Sequence, residues 1–499
     1  MLIDARELDD GRRVDADVCI VGAGAAGITL ARELAAARRS VVLLEAGGLA
    51  FDDTTQAMYA GSVADSDPAL PADYLTTSRL RFLGGTTNHW EGWCRPFDPI
   101  DFEARSWVPL SGWPFGREEL DPYYDRACRH LQIDRLDEPA DSPRRSPAAW
   151  LFPSGTRMQT TFFRQAAPVR FGAAYREELA ASPHVQLLTW ANAIEVTARP
   201  EGTSIERVRV AGVHGKGVDV YARAFVLAAG AIEVARLLLA SRSVHANGLG
   251  NEHDMVGRCF MEHPRIERVG AAALLRRGDT VPTYTIQKTG PTTQVWGALT
   301  ASADMQRDRR LLNGCFALEP GPGPLLAPEV AALADAVDRL RPSSAPADPA
   351  PTFAFAMINC EQAPNRESRV QLDNERDELG VPRARLTWKL SEIDRTSTRS
   401  WLQVLAIELA RAGLGRGAFN IDPIDPWRNV QMSGHHIGTA RMSTDPKLGV
   451  VDADQRVHGL SNLYVASAAT FPTSGLASPT PTIVALAVRI ADKLLEDLA

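Results

Sequence analysis

Cysteine is sparse in this chain, and its spacing forms no known metal or redox pattern. Cys19, Cys94, Cys128, Cys259, Cys315 and Cys360 are scattered over 499 residues without a C-x-x-C pair. That argues against a zinc site or a redox dithiol, so no metal is expected. Isolated thiols of this kind fit a reducing, cytoplasmic setting. A basic surplus is also missing: 54 Lys and Arg stand against 61 Asp and Glu, for a net charge of -7. Nucleic acid is therefore not an expected partner. No run of about 20 apolar residues occurs, and no membrane span is expected. Arg12-Arg13 is followed only by a short apolar run, Val18 to Val21, so it is not read as an export signal. There is no internal repeat.

What is present points to a globular chain too long for one core. Ala16 to Val21 is an apolar strand, followed by Gly22-Ala23-Gly24-Ala25-Ala26-Gly27 and an Ala- and Leu-rich helix to about Ala37. A second strand, Val41 to Leu44, ends at Glu45 and Ala46. This is the dinucleotide-binding fingerprint in its proper strand–turn–helix–strand setting. Gly22 permits the tight turn, Gly24 lets the backbone approach a pyrophosphate, and Gly27 lets the helix pack against the strand. Phosphates would sit at the helix N-terminus, where N–H groups are free. Glu45 would accept hydrogen bonds from ribose hydroxyls, and its charge argues against a 2′-phosphate. NAD and FAD share this fingerprint, so the motif alone leaves both open.

Further along, Gly84-Gly85-Thr86-Thr87-Asn88-His89-Trp90 reads as a flexible turn that would hold Asn88, His89 and Trp90 in place. A helix is expected over Glu118 to His130. Val185 to Leu188 and Ala193 to Val196 look like strands, and Ile205 to Val210 with Val218 to Ala222 like a hairpin. A separate strand, Phe225 to Ala229, would run through Gly230 into a helix, Ile232 to Ala240. Beyond Gly257-Arg258-Cys259-Phe260-Met261-Glu262-His263-Pro264, the apolar stretches Thr293 to Leu299, Thr352 to Met357, Arg369 to Leu372 and Ala384 to Trp388 suggest one antiparallel sheet. Helices are expected near Pro328 to Leu340 and from Glu392 to Ala412, with a Pro- and Ser-rich loop at Arg341 to Pro351. The chain ends in a strand, Leu463 to Ala466, and a helix, Pro481 to Leu498, with Ser478 at the N-cap position.

Before that last unit stands Gly434-His435-His436-Ile437-Gly438-Thr439-Ala440-Arg441-Met442. With the earlier motifs, in this order, the chain resembles the glucose–methanol–choline (GMC) flavin oxidoreductases. The likeness is carried by Gly22 to Gly27 with Glu45, Gly84 to Trp90, Leu227 to Leu238, Gly257 to Pro264, His435 to Met442 and Asn462 to Asp492. It implies an α/β FAD-binding (Rossmann-like) domain and a second α+β substrate domain built on an antiparallel sheet. The FAD-binding domain would comprise residues 1–110, 185–261 and 427–499, and the substrate-binding domain 111–184 and 262–426. The resemblance also implies cofactor contacts at Ala25, Ala26, Ala46, Arg81, Ala193, Ala229, Gly230, Ser467, Pro479 and Thr480.

It further implies oxidation of a substrate hydroxyl, with FAD as cofactor. The first histidine of His-x-x-Gly-Thr, His435, would be general base, with hydride passing to flavin N5. An imidazole of near-neutral basicity suits that task, and the hydride chemistry belongs to the cofactor. The last helix would aim its positive N-terminus at the flavin. Adjacent residues in extended chain point to opposite sides, so only one of the pair should face the flavin. The motif favours His435, with His436 the competing catalytic candidate and otherwise its packed neighbour. Family members often carry Asn-Pro-x-x-Thr-Ile where this chain has Ser478-Pro479-Thr480-Pro481-Thr482-Ile483. Ser478 is therefore either a second catalytic hydrogen-bond donor or a helix cap. The stretch around His89 is similar to the pyranose-oxidase type, where a histidine either carries FAD covalently or does not.

That subgroup tends to act on sugars, glycosides and polyols, with oxygen or another electron acceptor. Trp296, Phe316 and Asn359 are candidate lining residues of the substrate site. The alternatives are a lyase that holds FAD without redox turnover, oxidation of a non-sugar alcohol, and a non-catalytic flavoprotein. Flavin bleaching by substrate separates oxidation from the others.

Overall fold

The fold is organised around a strand that is buried on both faces. In β1 (Arg12–Val21), Val18, Cys19 and Ile20 have no exposed surface, the pattern of a parallel sheet covered on both sides. The computed structural model describes residues 1–139, 142–145, 150–152, 157–212, 217–274, 283–320, 352–419 and 430–499. After β1 come α1 (Ala25–Ala36) and β2 (Val41–Leu44), which lies parallel to β1 with Val18 opposite Val41. On the far side of β2, β3 (Val185–Thr189) is also parallel. On the other side of β1 runs β4 (Gly217–Leu227), parallel from Val218 opposite Arg12 to Leu227 opposite Val21. It continues into α2 (Gly230–Ala240).

One expected boundary is absent. The residues 218–222 and 225–229, read as two strands, give a single one that ends at Leu227; β4 passes through an exposed Arg223 without a break. Its first half pairs antiparallel with Ile205–Ala211, and its second half pairs parallel with the late strand Leu463–Val465. A polar residue in mid-strand interrupts the apolar pattern but not the hydrogen-bond ladder.

The second sheet is antiparallel. It is built from β5 (Pro264–Leu274), β6 (Gln294–Ala301), β7 (Gly314–Pro320) and β8 (Thr352–Cys360), in the order β5-β8-β7-β6. Met158–Gln165 and then Trp93–Cys94 extend it beyond β6. The expectation that Arg369 to Leu372 and Ala384 to Trp388 also belong here is corrected. β9 (Arg369–Arg376) and β10 (Pro382–Thr387) pair with each other, and β10 pairs in parallel with Ser62–Val63, giving a separate three-stranded sheet. That pair packs on α2 rather than joining the larger sheet. The helix expected at 328–340 and the loop at 341–351 lie outside the described residues. The expected helix over Glu118 to His130 starts three residues late, at Asp121, and runs to Leu131.

α3 (Glu392–Arg411) covers the outer face of the second sheet through Trp401, which meets Phe316 edge-on. β11 (Val430–Met432) then adds to β5 opposite Pro264 to Ile266. The last helix, α4 (Thr480–Asp497), packs on α1 and on Asp121–Leu131. Its buried Leu486, Ile490 and Leu494 repeat at the four-residue spacing of one helix face. No helix among the described residues is long and apolar enough to cross a membrane.

A buried ion pair ties the N-terminal part to the second sheet. Arg105 donates to Glu361 at 2.8 and 2.5 Å, and both side chains are fully buried. Removing one member strands the other charge, which typically costs about 3–5 kcal/mol. Arg105→Met should therefore lower stability by about that amount in urea unfolding. The Arg105→Met/Glu361→Leu double variant should recover most of it.

Candidate functional site

A cavity of about 1180 Å³ runs between the two sheets and is bordered by both the Gly-rich turn and the His435 loop. It exceeds the range usual for one small ligand, about 300–1,000 Å³, so it has room for a dinucleotide and a substrate together.

The turn is shaped for a phosphate group. Gly22 has φ +105°, and a Cβ there would lie 2.7 Å from the Ala228 carbonyl oxygen. A Cβ on Gly27 would lie 1.9 Å from the Gly22 oxygen, so α1 can pack this closely only with glycine there. Gly24 instead faces open space, which is the clearance a pyrophosphate needs against backbone. Glu45 is buried at the end of β2. Its carboxylate accepts the Ala23 N–H at 3.2 Å and the Gly47 N–H at 2.9 Å. It still has acceptor capacity for ribose hydroxyls. Burial raises its pKa. These residues fit FAD.

At the histidine loop, three elements converge on one carboxylate. Glu262, just before β5, is fully buried, and burial raises its pKa to about 7. It accepts the backbone N–H of His435 at 3.0 Å and of His263 at 3.1 Å, and the Tyr74 hydroxyl donates to it. His435 Nδ1 lies 2.8 Å from His263 Nδ1. Burial, then the neighbouring His263 and His436, holds His435 well below the ordinary imidazole value. His436 Nε2 lies 3.1 Å from the Tyr74 oxygen, and its ring meets Tyr74 edge-on. Burial, then Arg79, lowers its pKa to about 3. Both histidines line the cavity, which corrects the expectation that only one of the pair faces it; Gly434 and Gly438, both at positive φ, flank them.

The second sheet supplies the opposing wall. Arg265 pairs with Asn359 on one side and Gln431 on the other, and Asn359 pairs with Cys315. All four line the cavity, as a row across adjacent strands about 4.8 Å apart. The Asn359 Oδ1 is buried without a hydrogen-bond partner among the described residues. Beside this row Trp296 stacks on Phe163 at 5.2 Å and meets Trp93 edge-on at 6.0 Å. Phe316 is not part of the wall. Strand alternation turns Cys315 and Ala317 to the cavity and sends Phe316 to the other face, against Trp401.

The structure brings most of the expected residues to this cavity. From the N-terminal segment they are Gly22, Gly24, Ala25, Ala26, Glu45 and Ala46, then Arg81, Gly85, His89 and Trp90. From later segments they are Ala193, Ala229, Gly230, Ser467, Ser478, Pro479 and Thr480. Three stand behind it. Gly27 packs helix on strand, and Gly84 closes against Gly172. Asn88 donates to the Leu83 and Gly85 carbonyls at 3.0 and 2.9 Å, so it ties the turn together instead of facing the cavity. Ser478 is not the helix cap: Pro479 occupies that position, and no side-chain bond caps α4. Sequence reasoning missed Tyr74, Glu262 and His263 as site residues. The adjacent Glu262-His263 pair opening a strand was the available signal.

Comparison with known proteins agrees with this geometry. A family profile described as FAD dependent oxidoreductase matches residues 17–326, and one described as GMC oxidoreductase matches residues 364–487. The chain is 27% identical to the paromamine 6'-oxidase of Streptomyces fradiae, over 97% of this chain and 92% of that protein. It is 26% identical to the fructose dehydrogenase large subunit of Gluconobacter japonicus, over 97% and 98%. Among solved structures, pyridoxine 4-oxidase from Mesorbium loti is similar in fold, with a TM-score of 0.59 at 20% identity over 96% of this chain and 99% of that one. The cradle and the first profile define an FAD-dependent oxidoreductase. Within that class, the chain belongs to the GMC oxidoreductases.

The close approach at Gly27 gives a direct check. Gly27→Val should push α1 off the turn and lower the flavin absorbance per mole of purified protein severalfold. Full FAD content in that variant would contradict the assigned packing.

Proposed function

We propose that this chain oxidises a hydroxyl on a sugar, glycoside or polyol to a carbonyl, with His435 as general base. The observation that supports this best is the single cavity bordered by both the Gly22–Ala26 turn and His435. Bound FAD supplies the hydride acceptor, and electrons leave to oxygen or another acceptor. The chain holds the cofactor, orients the substrate and moves the proton. Gly22, Gly24, Ala25 and Ala26 would take the pyrophosphate at the start of α1, and Glu45 the ribose. Pro479 and Thr480 would present the α4 N-terminus to the ring. FAD binding falls mainly to residues 1–110, 185–261 and 427–499, and substrate binding to 111–184 and 262–426, with Trp93–Cys94 and Val430–Met432 joining the substrate side through the second sheet.

His435 is neutral near pH 7, so it can accept the hydroxyl proton as it leaves. Ser478, on the cavity and not engaged as a cap, donates a hydrogen bond to the substrate oxygen. His436, bound to Tyr74, borders the same space and shapes it. The Trp296–Phe163 pair offers a flat apolar face for a sugar ring, and the Gln431–Arg265–Asn359 row offers polar groups for its hydroxyls. The substrate class is supported by the paromamine and fructose named for the two relatives. All six cysteines are free and buried, which supports a reducing, cytoplasmic setting.

The test is anaerobic mixing with a panel of sugars, glycosides and polyols, then turnover with oxygen and with a dye acceptor. A substrate should bleach the flavin band; conversion without bleaching, or no response across the panel, contradicts the proposal. His435→Gln should keep its FAD and lose about 10²–10⁴-fold in kcat/KM.

The pH dependence has a defined sign. A base of lowered pKa stays unprotonated further into acid. The kcat/KM of the wild type should therefore stay level as pH falls through 6.5, the ordinary imidazole value, and drop only below it. A drop centred above 6.5 would contradict His435 as the base.

A further inference from the structure

We infer that His263 fixes the tautomer of His435, leaving His435 Nε2 bare and ready to accept the substrate proton. This deepens the reading of His435 as base and rests on it. His263 has no exposed surface and does not line the cavity, so it acts through His435 as a positioning residue.

The assignment follows from what each partner is able to do. His263 Nε2 lies 3.0 Å from the Ser474 carbonyl oxygen and 3.0 Å from the Gly475 carbonyl oxygen. Carbonyl oxygens only accept, so that nitrogen carries the hydrogen. A neutral imidazole has one N–H, and therefore His263 Nδ1 is an acceptor. It stands 2.8 Å from His435 Nδ1. One of the two must donate, and only His435 has a hydrogen to give. Its single proton is held on Nδ1, and Nε2 keeps its lone pair. The reverse arrangement would set a bare His263 Nε2 against two carbonyl lone pairs.

The surroundings keep this order. Burial favours the neutral form of both rings. Glu262 grips both residues through their backbone N–H groups, and no carboxylate among the described residues hydrogen-bonds to either ring. His436 bonds to Tyr74, Tyr74 donates to Glu262, and the charge of Arg79 bears on His436. When His435 takes a proton on Nε2, its Nδ1–H bond to His263 becomes charge-assisted, and the His263 dipole and the two carbonyls already point the right way. The ring pair is held by oriented dipoles and not by a carboxylate hydrogen-bonded to either ring, so the proton is stabilised only moderately and can be released again.

The experiment uses the FAD-loaded protein labelled with ¹⁵N-histidine. Long-range ¹H–¹⁵N correlation should show His435 with Nδ1 protonated and Nε2 bare. His263→Leu should move His435 to a mixture of tautomers and lower kcat about 10–100-fold, with KM nearly unchanged. His263→Asn, whose Oδ1 can stand near the lost Nδ1 and accept the same bond, should restore the tautomer and most of kcat. FAD content checks that each variant is folded; if His263→Leu does not fold, the wild-type and His263→Asn spectra carry the test. A protonated Nε2 in the wild type overturns the inference. So does a tautomer, or a kcat, that His263→Leu leaves unchanged. Full activity in His435→Gln, with the wild-type tautomer as inferred, overturns the base assignment while leaving the histidine geometry intact.

Discussion

The site depends on one buried carboxylate that gathers donors from three distant parts of the chain. Glu262 receives the N–H groups of His263 and His435 and the Tyr74 hydroxyl. It adds a buried side-chain anchor to the backbone ties that hold this loop at the start of β5, where Val430–Met432 pairs with β5 and Ile437 with Met261. Burial alone opposes ionisation of this group, while every donor around it favours the charged form. The donors are what make a carboxylate at full burial tolerable, and they also place the two histidines within hydrogen-bond distance of each other.

Each sheet contributes a different kind of surface to the same cavity. The parallel sheet brings strand ends and helix N-termini, hence backbone N–H groups suited to an anionic cofactor. The antiparallel sheet brings side chains at regular spacing, hence a wall whose polar row and aromatic pair can be matched to a substrate. Division of chemistry between cofactor and chain follows: the chain contributes neutral imidazoles and oriented dipoles. Burial lowers the pKa of His263, His435 and His436 alike, so desolvation favours the uncharged form of each ring.

Local patterns carried much of this into the sequence. The Gly22 to Glu45 unit was legible because its residues lie in one short stretch, and the Gly27 approach to the Gly22 oxygen bears that out; the approach of Gly22 to Ala228 is long-range and was not legible. The long apolar strands and terminal helix were legible by period. What was hidden is non-local. Tyr74 meets Glu262 across 188 residues, and His263 meets His435 across 172. No periodicity reports such a pairing. The parallel pairing of β10 with Ser62–Val63 is of the same kind. The cap alternative for Ser478 and the wall position of Phe316 failed for simpler reasons. A serine two residues ahead of a helix looks like a cap, and strand alternation, not residue type, decides which aromatic faces the cavity.

The most direct measurement is a crystal structure of the protein with FAD and an unreactive sugar analogue bound. His435 Nε2 should lie about 2.6–3.2 Å from the hydroxyl to be oxidised, with Nδ1 still on His263. A ring turned away from that hydroxyl, or a sugar bound outside the space shared by the Gly-rich turn and His435, would contradict it.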